Sequence, residues 1–168
     1  MTDAEGPEQQ EQVKEALGRF ATGVVVLTVH EDRDDIGMTA TAFASVSLEP
    51  PLILVGLSTA SYVAEVLRRR DTWAVSLLAG DQKHVAGRFA VAGRPSGRLL
   101  LATLPHHRGP RTGALIVERG LAALECRTRR LVPAGDHTLV LGDVLGVDYM
   151  GPAEDPLVRY MGGYRGLA

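Results

Sequence analysis

Between Gly37 and Leu52 the chain reads Gly-Met-Thr-Ala-Thr-Ala-Phe-Ala-Ser-Val-Ser-Leu-Glu-Pro-Pro-Leu. Small hydroxyl residues (Thr39, Thr41, Ser45, Ser47) alternate with small or apolar ones, and the run stops at a Pro-Pro corner. A period of two is the pattern of a β-strand, and Pro50-Pro51 forces extended backbone. Such a strand has two uses. It can be an ordinary half-buried antiparallel strand with Thr and Ser on its solvent face. It can also cradle a flat polar ligand, because small side chains permit close approach and backbone N–H and C=O groups then read the ligand's edge. The period alone leaves both open.

The remaining sequence bounds the choice. With 168 residues and 45% hydrophobic content, the chain is long enough for one globular domain with a real core. A net charge of −2 provides no general attraction to nucleic acid. Lys14 and Lys83 are the lysines; the other basic residues are arginines, the better fork for phosphate. The single cysteine, Cys126, rules out an intramolecular disulfide and fits a reducing compartment. The acidic N-terminal stretch (Asp3, Glu5, Glu8, Glu11) does not read as a secretory signal, and no apolar run approaches the roughly 20 residues of a membrane span. The expectation is a soluble, cytoplasmic protein without a nucleic-acid or membrane partner.

Along the chain, residues 1–12 read as a flexible N-terminal tail and 13–168 as one domain, with Pro7 suited to open a helix. Val13, Ala16, Leu17 and Phe20 form one helical stripe that Gly23 ends. Val24 to Val29 is a buried strand, His30 to Asp35 a charged turn, Ile36 to Ser47 the hydroxyl-rich strand and Leu52 to Leu57 another apolar strand. Ser61 is placed to cap a helix running from Tyr62 to Arg70. Trp73 to Leu78 reads as a strand and Asp81 to Ala90 as a short helix. Ala92 to Thr112, rich in Gly, Pro and Arg, reads mostly as loop. Strands follow at Ala114 to Val117, Leu121 to Leu131 and Thr138 to Tyr149, the last after a turn at Pro133 to Asp136. Many strands, few helices and short Gly or Pro connections predict a mainly β fold, an antiparallel barrel closed or split, with Greek-key connections.

Several chemistries lack their parts. There is no dinucleotide or P-loop glycine fingerprint, no nucleophile elbow (in Gly93-Arg94-Pro95-Ser96-Gly97 the serine stands one place late), no C-x-x-C and no H-E-x-x-H. His30, His84, His106, His107 and His137 show no metal-ligand spacing, and His106-His107 reads as a solvated loop pair. Cys126, within an apolar strand, reads as core.

Five blocks in order carry a resemblance. Phe20-Ala21-Thr22-Gly23-Val24 resembles the opening F-x-T-G-V signature of flavin reductase-like proteins, and Gly37 to Leu52 resembles their flavin-binding strand. Ala79-Gly80-Asp81-Gln82 with Arg88-Phe89-Ala90, then Leu124-Glu125-Cys126, and finally Gly135-Asp136-His137-Thr138-Leu139 with Gly142-Asp143-Val144 complete the set. The likeness runs from about Leu17 to Tyr164 and is to the short-chain flavin reductases that supply reduced flavin to two-component monooxygenases.

The resemblance implies an FMN-binding split β-barrel, a homodimer with flavin near the subunit boundary, and a separate flavin-dependent monooxygenase as partner. It places Thr39, Ala40, Thr41 and Ala42 along the isoalloxazine edge and Ser45 and Val46 towards the ribityl chain. It gives the phosphate end to Ser58, Ser61 and Tyr62, where a helix start also favours an anion, although Ser61 has the alternative role of cap. It pairs Arg88 with the phosphate and packs Phe89 near the flavin; the residues alone read as a solvated arginine and a core phenylalanine. His137 is implied to contact the nicotinamide dinucleotide, with Tyr160 and Tyr164 closing over the same side. The implied activity is NAD(P)H:flavin oxidoreduction, hydride passing from NADH or NADPH to FMN or FAD. Such a step requires stacked rings more than an acid or base, which accords with the missing catalytic dyad. Rival readings are a split-barrel protein with tightly held flavin acting on a specific substrate, and a non-enzymatic flavin-binding module.

Overall fold

The computed structural model describes residues 6–151 and 155–167. Helix α1 (Pro7–Gly18) opens on proline at its first turn and ends at an Arg19 cap. Residues 7–12 are therefore helical rather than a tail; residues 1–5 lie outside the described part. The stripe stops short of Gly23, because Thr22 and Gly23 form strand β1 (Thr22–Gly23). Strands β2 (Val25–Glu31) and β3 (Asp34–Ala40) make a hairpin around Asp32, whose φ of 50° supplies the tight turn.

The hydroxyl ribbon is two strands, not one. After β3 the chain bends at Thr41–Ala42 and resumes as β4 (Phe43–Leu48), which pairs with β5 (Pro51–Ser58). Period-two patterning cannot detect this corner, since the alternation runs through it unbroken. The bend is held where Gly56 N–H donates to Ala42 O at 2.7 Å.

Then come α2 (Tyr62–Val66), β6 (Thr72–Leu77) and α3 (Lys83–Ala90). The expected loop at 92–112 contains helix α4 (Gly97–Leu101) and strand β7 (His106–Arg108), which pairs with β8 (Leu115–Val117). Glycine, proline and arginine there masked two short elements whose order comes from packing: Leu101 and Leu115 are 0% and 2% exposed. Two 13-residue strands, β9 (Ala122–Ala134) and β10 (His137–Tyr149), turn over Gly135 at φ 62°, a left-handed position that glycine adopts freely. Strands β11 (Val158–Tyr160) and β12 (Gly163–Arg165) join β1 in a small sheet.

The principal sheet is antiparallel throughout, in the order β3-β2-β6-β9-β10-β5-β4. Its two edge strands, β3 and β4, are consecutive in sequence. The sheet curls so that the seam between its ends lies at the Thr41–Ala42 corner, with connections crossing between hairpins as in a Greek key. This is the expected split barrel. Strand β2 is buried on both faces: Val25, Leu27 and Val29 point into the barrel with Val55, Trp73, Val75 and Val140, and Val24 and Val26 point outward against Phe89, Leu101 and Val117. Val63, Val66 and Leu67, on α2 and just after it, join the inner core. Among the described residues no helix is long and apolar enough to cross a membrane.

Candidate functional site

A cleft of about 410 Å³ runs along the seam. One wall is the edge strand β3 at Ile36, Gly37 and Met38; another is the end of β5 and the start of α2 at Ser58, Ala60, Ser61 and Tyr62; the third is the loop from Ala92 to Ser96. An edge strand has one row of N–H and C=O groups with no ladder partner. Side chains from the third wall reach this strand: Arg94 Nε donates to Gly37 O at 2.5 Å and Ser96 Oγ to Asp35 O at 3.3 Å.

Gly37 sits where it does for a steric reason. A Cβ there would lie 2.7 Å from Phe89 Cε1 and 3.0 Å from Cδ1. Phe89 on α3 is fully buried, so its ring backs the strand from behind. Thr39 adds a second tie, its hydroxyl donating to Ala86 O on α3 at 2.6 Å. The strand is thereby fixed to α3 on one face, while at its edge no further strand is paired and side chains of the third wall meet the Asp35 and Gly37 carbonyls.

Beside the cleft lies a buried ion cluster. Asp35 is 0% exposed and accepts from Arg108 Nη1 at 2.8 Å, Arg108 Nη2 at 2.9 Å and Arg98 Nε at 3.2 Å, with His30 Nδ1 at 3.0 Å. Burial pushes its carboxyl up, but the hydrogen bonds from Arg108, His30 and Arg98 outweigh that and hold it at about 2. The cluster ties β3 to α4 and β7, and Asp35 is neutralised where it meets the cleft.

Arg94 differs. It is half-buried, among the described residues bonds only two backbone carbonyls (Gly37 O, and Val91 O at 2.9 Å), and burial lowers its pKa. At the opposite lip Tyr62 is 52% exposed, its ring under the Arg69 guanidinium at 5.7 Å. Arg69 is itself anchored on Glu31 (Nη2 to Oε2, 2.9 Å) and Glu65 (3.0 Å).

The residues expected from sequence fall into three groups. Ser58, Ser61 and Tyr62 line the cleft; Thr39 and Ala40 lie on β3 just beyond its Ile36–Met38 wall, Thr41 at the corner lines two other hollows, and neither Thr41 nor Ala42 lines the cleft itself. Ser61 Oγ accepts from Ala64 N–H at 3.2 Å, so its hydroxyl is committed to capping α2. A second group lies near but not in the cleft. His137 is paired in register with Ser58 and held by Asp136 at 2.7 Å, and Phe89 is one layer behind Gly37. Ser45 and Val46 are exposed on β4, away from the cleft's lining. The third group is elsewhere. Arg88 donates to Leu100 O at 2.8 Å and does not line the cleft. Tyr160 and Tyr164 belong to the small sheet, where Arg159 lies 4.9 Å over the Tyr164 ring. His107, expected to be solvated, is braced between Glu118 (3.0 Å) and Asp148 (2.9 Å). Sequence reasoning missed Arg94 and its loop; the signal was the Gly93-Arg94-Pro95-Ser96-Gly97 run, a tight polar turn carrying one cation.

Comparison with known proteins gives the family. The flavin reductase like domain matches residues 17–168. An NADH-dependent flavin reductase of a Rhodococcus species is 41% identical over 158 residues, covering 92% of this chain and 85% of its own. The reductase component of 4-hydroxyphenylacetate 3-monooxygenase from Thermus thermophilus is 41% identical over 158 residues, covering 94% and 97%. Among solved structures, the flavin reductase component of a bacterial two-component tryptophan halogenase superposes with a TM-score of 0.88 at 38% identity, over 94% of this chain and 98% of that one. A Streptomyces globisporus NADH:FAD oxidoreductase in complex with NAD and FAD fragments gives 0.88 at 33% identity, over 99% and 98%. An edge strand walling a cofactor-sized cleft, on this fold and with these relatives, leads to one assignment: the chain belongs to the flavin reductase-like family.

Proposed function

We propose that this protein is an NAD(P)H:flavin oxidoreductase that supplies reduced FMN or FAD to a separate monooxygenase, with the seam cleft as its flavin site. The observation that carries the reading is that β3, an edge strand of the principal sheet, walls a cleft of about 410 Å³, within the usual range for cofactor sites. The residues fit the group. The resemblance gives the ring to the backbone from Thr39 to Ala42, which continues from the cleft's β3 wall, and the Ser58–Tyr62 turn and Arg94 offer the other end polar and cationic contacts. Bound flavin supplies the two-electron acceptor for a hydride from reduced nicotinamide. The chain's own work is to bind and orient. His137 is exposed, held by Asp136 and opposite Ser58 in the ladder, which supports the reading that it contacts the dinucleotide. Binding through hydroxyls and backbone needs no covalent tether, which suits a flavin that arrives and leaves.

The reading extends to a homodimer. Helix α1 has no buried residue, and Val13, Leu17 and Phe20 are 47%, 66% and 72% exposed. An apolar stripe of this kind seeks a cover. Beneath it lies a groove of about 430 Å³ reached by Thr41 and by Thr22, whose buried Oγ1 has no hydrogen-bond partner among the described residues. A second copy on this face brings the subunit boundary to the Thr41 corner. Tyr160 and Tyr164, on the small sheet beside the groove, take part in the site only from this side.

The test is a steady-state assay pairing NADH and NADPH with riboflavin, FMN and FAD. Turnover with at least one pair is expected. Purified, folded protein that oxidises neither nicotinamide with any flavin ends the proposal.

A further inference from the structure

The charges on the cleft walls do not balance among themselves. Three charged residues line it: Asp34, Asp35 and Arg94. Asp35 is neutralised by Arg98 and Arg108. Asp34 is exposed and accepts from the Asp35 N–H at 2.8 Å. Arg94 is half-buried and makes no ion pair among the described residues; its bonds go to the uncharged carbonyls of Gly37 and Val91. A guanidinium taken out of water without a counter-charge is costly, and neutral acceptors recover only part of that cost.

The geometry is also set. Nε and Nη1 are fixed by backbone carbonyls from two different elements, which locks the guanidinium plane, and Nη2 has no protein partner among the described residues. A planar fork held in this way is the arrangement that recognises an oxyanion. Arg88, to which the resemblance gave that task, is engaged with Leu100 O instead.

We infer that Arg94 seats a phosphoryl oxyanion of the nucleotide in the seam cleft, so that phosphorylated flavins are selected over riboflavin. The inference rests on the flavin reductase reading above. FMN and FAD carry the required group, and so does the nicotinamide dinucleotide; the Ser58–Tyr62 wall opposite favours the flavin's phosphate as the occupant.

Equilibrium binding separates the sources. Riboflavin, FMN, FAD and NAD are each titrated against the wild-type protein, Arg94→Gln and Arg94→Lys, by flavin fluorescence and calorimetry. Glutamine keeps a donor for the Gly37 carbonyl without the charge; lysine keeps the charge without the fork. For a charge-assisted bond, Arg94→Gln weakens FMN and FAD about 10-fold or more and leaves riboflavin within about 2-fold. Arg94→Lys falls between, and wild-type FMN affinity declines with added salt while riboflavin's does not. Loss confined to NAD, with all flavins unchanged, overturns the inference, since the seat then serves the dinucleotide and not the flavin. Equal weakening of riboflavin and FMN, or no weakening of FMN or NAD, overturns the inference. Unchanged thermal melting of Arg94→Gln secures the comparison. Wild-type protein that reduces flavin while Arg94→Gln binds FMN normally sinks this inference alone; wild-type protein that neither binds flavin nor oxidises NAD(P)H sinks the reading on which it rests.

Discussion

The contact between Gly37 and Phe89 links the edge strand to the core, and Gly37→Ala tests it. The new Cβ meets Phe89 Cε1 at 2.7 Å and Cδ1 at 3.0 Å, and the Leu27 carbonyl at 3.2 Å. The ring cannot swing away, because Phe89 is 0% exposed and packed with Val26, Val85 and Leu101. Overpacking of this kind costs about 1–3 kcal/mol. Restricting the unfolded chain by Gly→Ala returns about 0.4–1 kcal/mol, leaving a net loss of about 1.3 kcal/mol at the midpoints. At about 2–4 °C per kcal/mol for a chain of this size, Tm falls by roughly 3–5 °C. The strand is also pushed towards the cleft, so FMN affinity falls with it. Phe89→Leu removes the offending ring edge, so Gly37→Ala costs less in that background; a double-mutant cycle by urea unfolding reads the coupling. An unchanged Tm for Gly37→Ala, or strictly additive losses in the cycle, refutes the claim that Phe89 dictates glycine at this position.

Four further outcomes follow from the same structure. Asp35 has a folded-state pKa of about 2, below its ordinary value of 3.8, so its contribution is complete above the unfolded pKa and is lost as pH falls through the folded one. The shift corresponds to about 2 kcal/mol, and urea midpoints of Asp35→Asn therefore vary less than wild type between about pH 5 and pH 2, with Asp35→Asn also about 3–5 kcal/mol less stable at neutral pH. Burial, then the Glu125 and Asp143 charges, push the Cys126 thiol up to about 12; a thiol reagent at mildly alkaline pH leaves native protein unlabelled and labels it fully in denaturant. Wild type runs as the proposed homodimer in light-scattering chromatography, and Leu17→Asp with Phe20→Asp runs as a monomer without a lower helix signal; a monomeric wild type contradicts the proposed dimer. His137→Ala raises the KM for NAD(P)H more than it weakens flavin binding; an equal loss of both contradicts its role.

How far the sequence foretells the molecule depends on which force shapes each part. Strand β2 was legible because Val24 to Val29 are apolar on both faces, and burial on both faces is what the structure gives them. The Ser61 cap was legible because capping is local chemistry. The corner at Thr41–Ala42 was not, since only tertiary pairing of Ala42 with Gly56 reveals it. Helix α4 and strand β7 were hidden for the same reason: they are short, and their order comes from what they pack against. Beside the cleft, the extended character of the hydroxyl ribbon was readable from its period, whereas the different surroundings of Arg88 and Arg94 were not. Both are arginines in a polar stretch, and only the fold shows that one bonds Leu100 and the other faces the cleft.

The central claim is that the unpaired edge of β3 reads the flavin ring. Crystals of the protein soaked with FMN test it most directly. The account predicts density for the ring along the backbone from Thr39 to Ala42, with the phosphate towards Arg94 and the Ser58–Tyr62 turn. Flavin bound on another face, with the seam cleft holding only water, contradicts it.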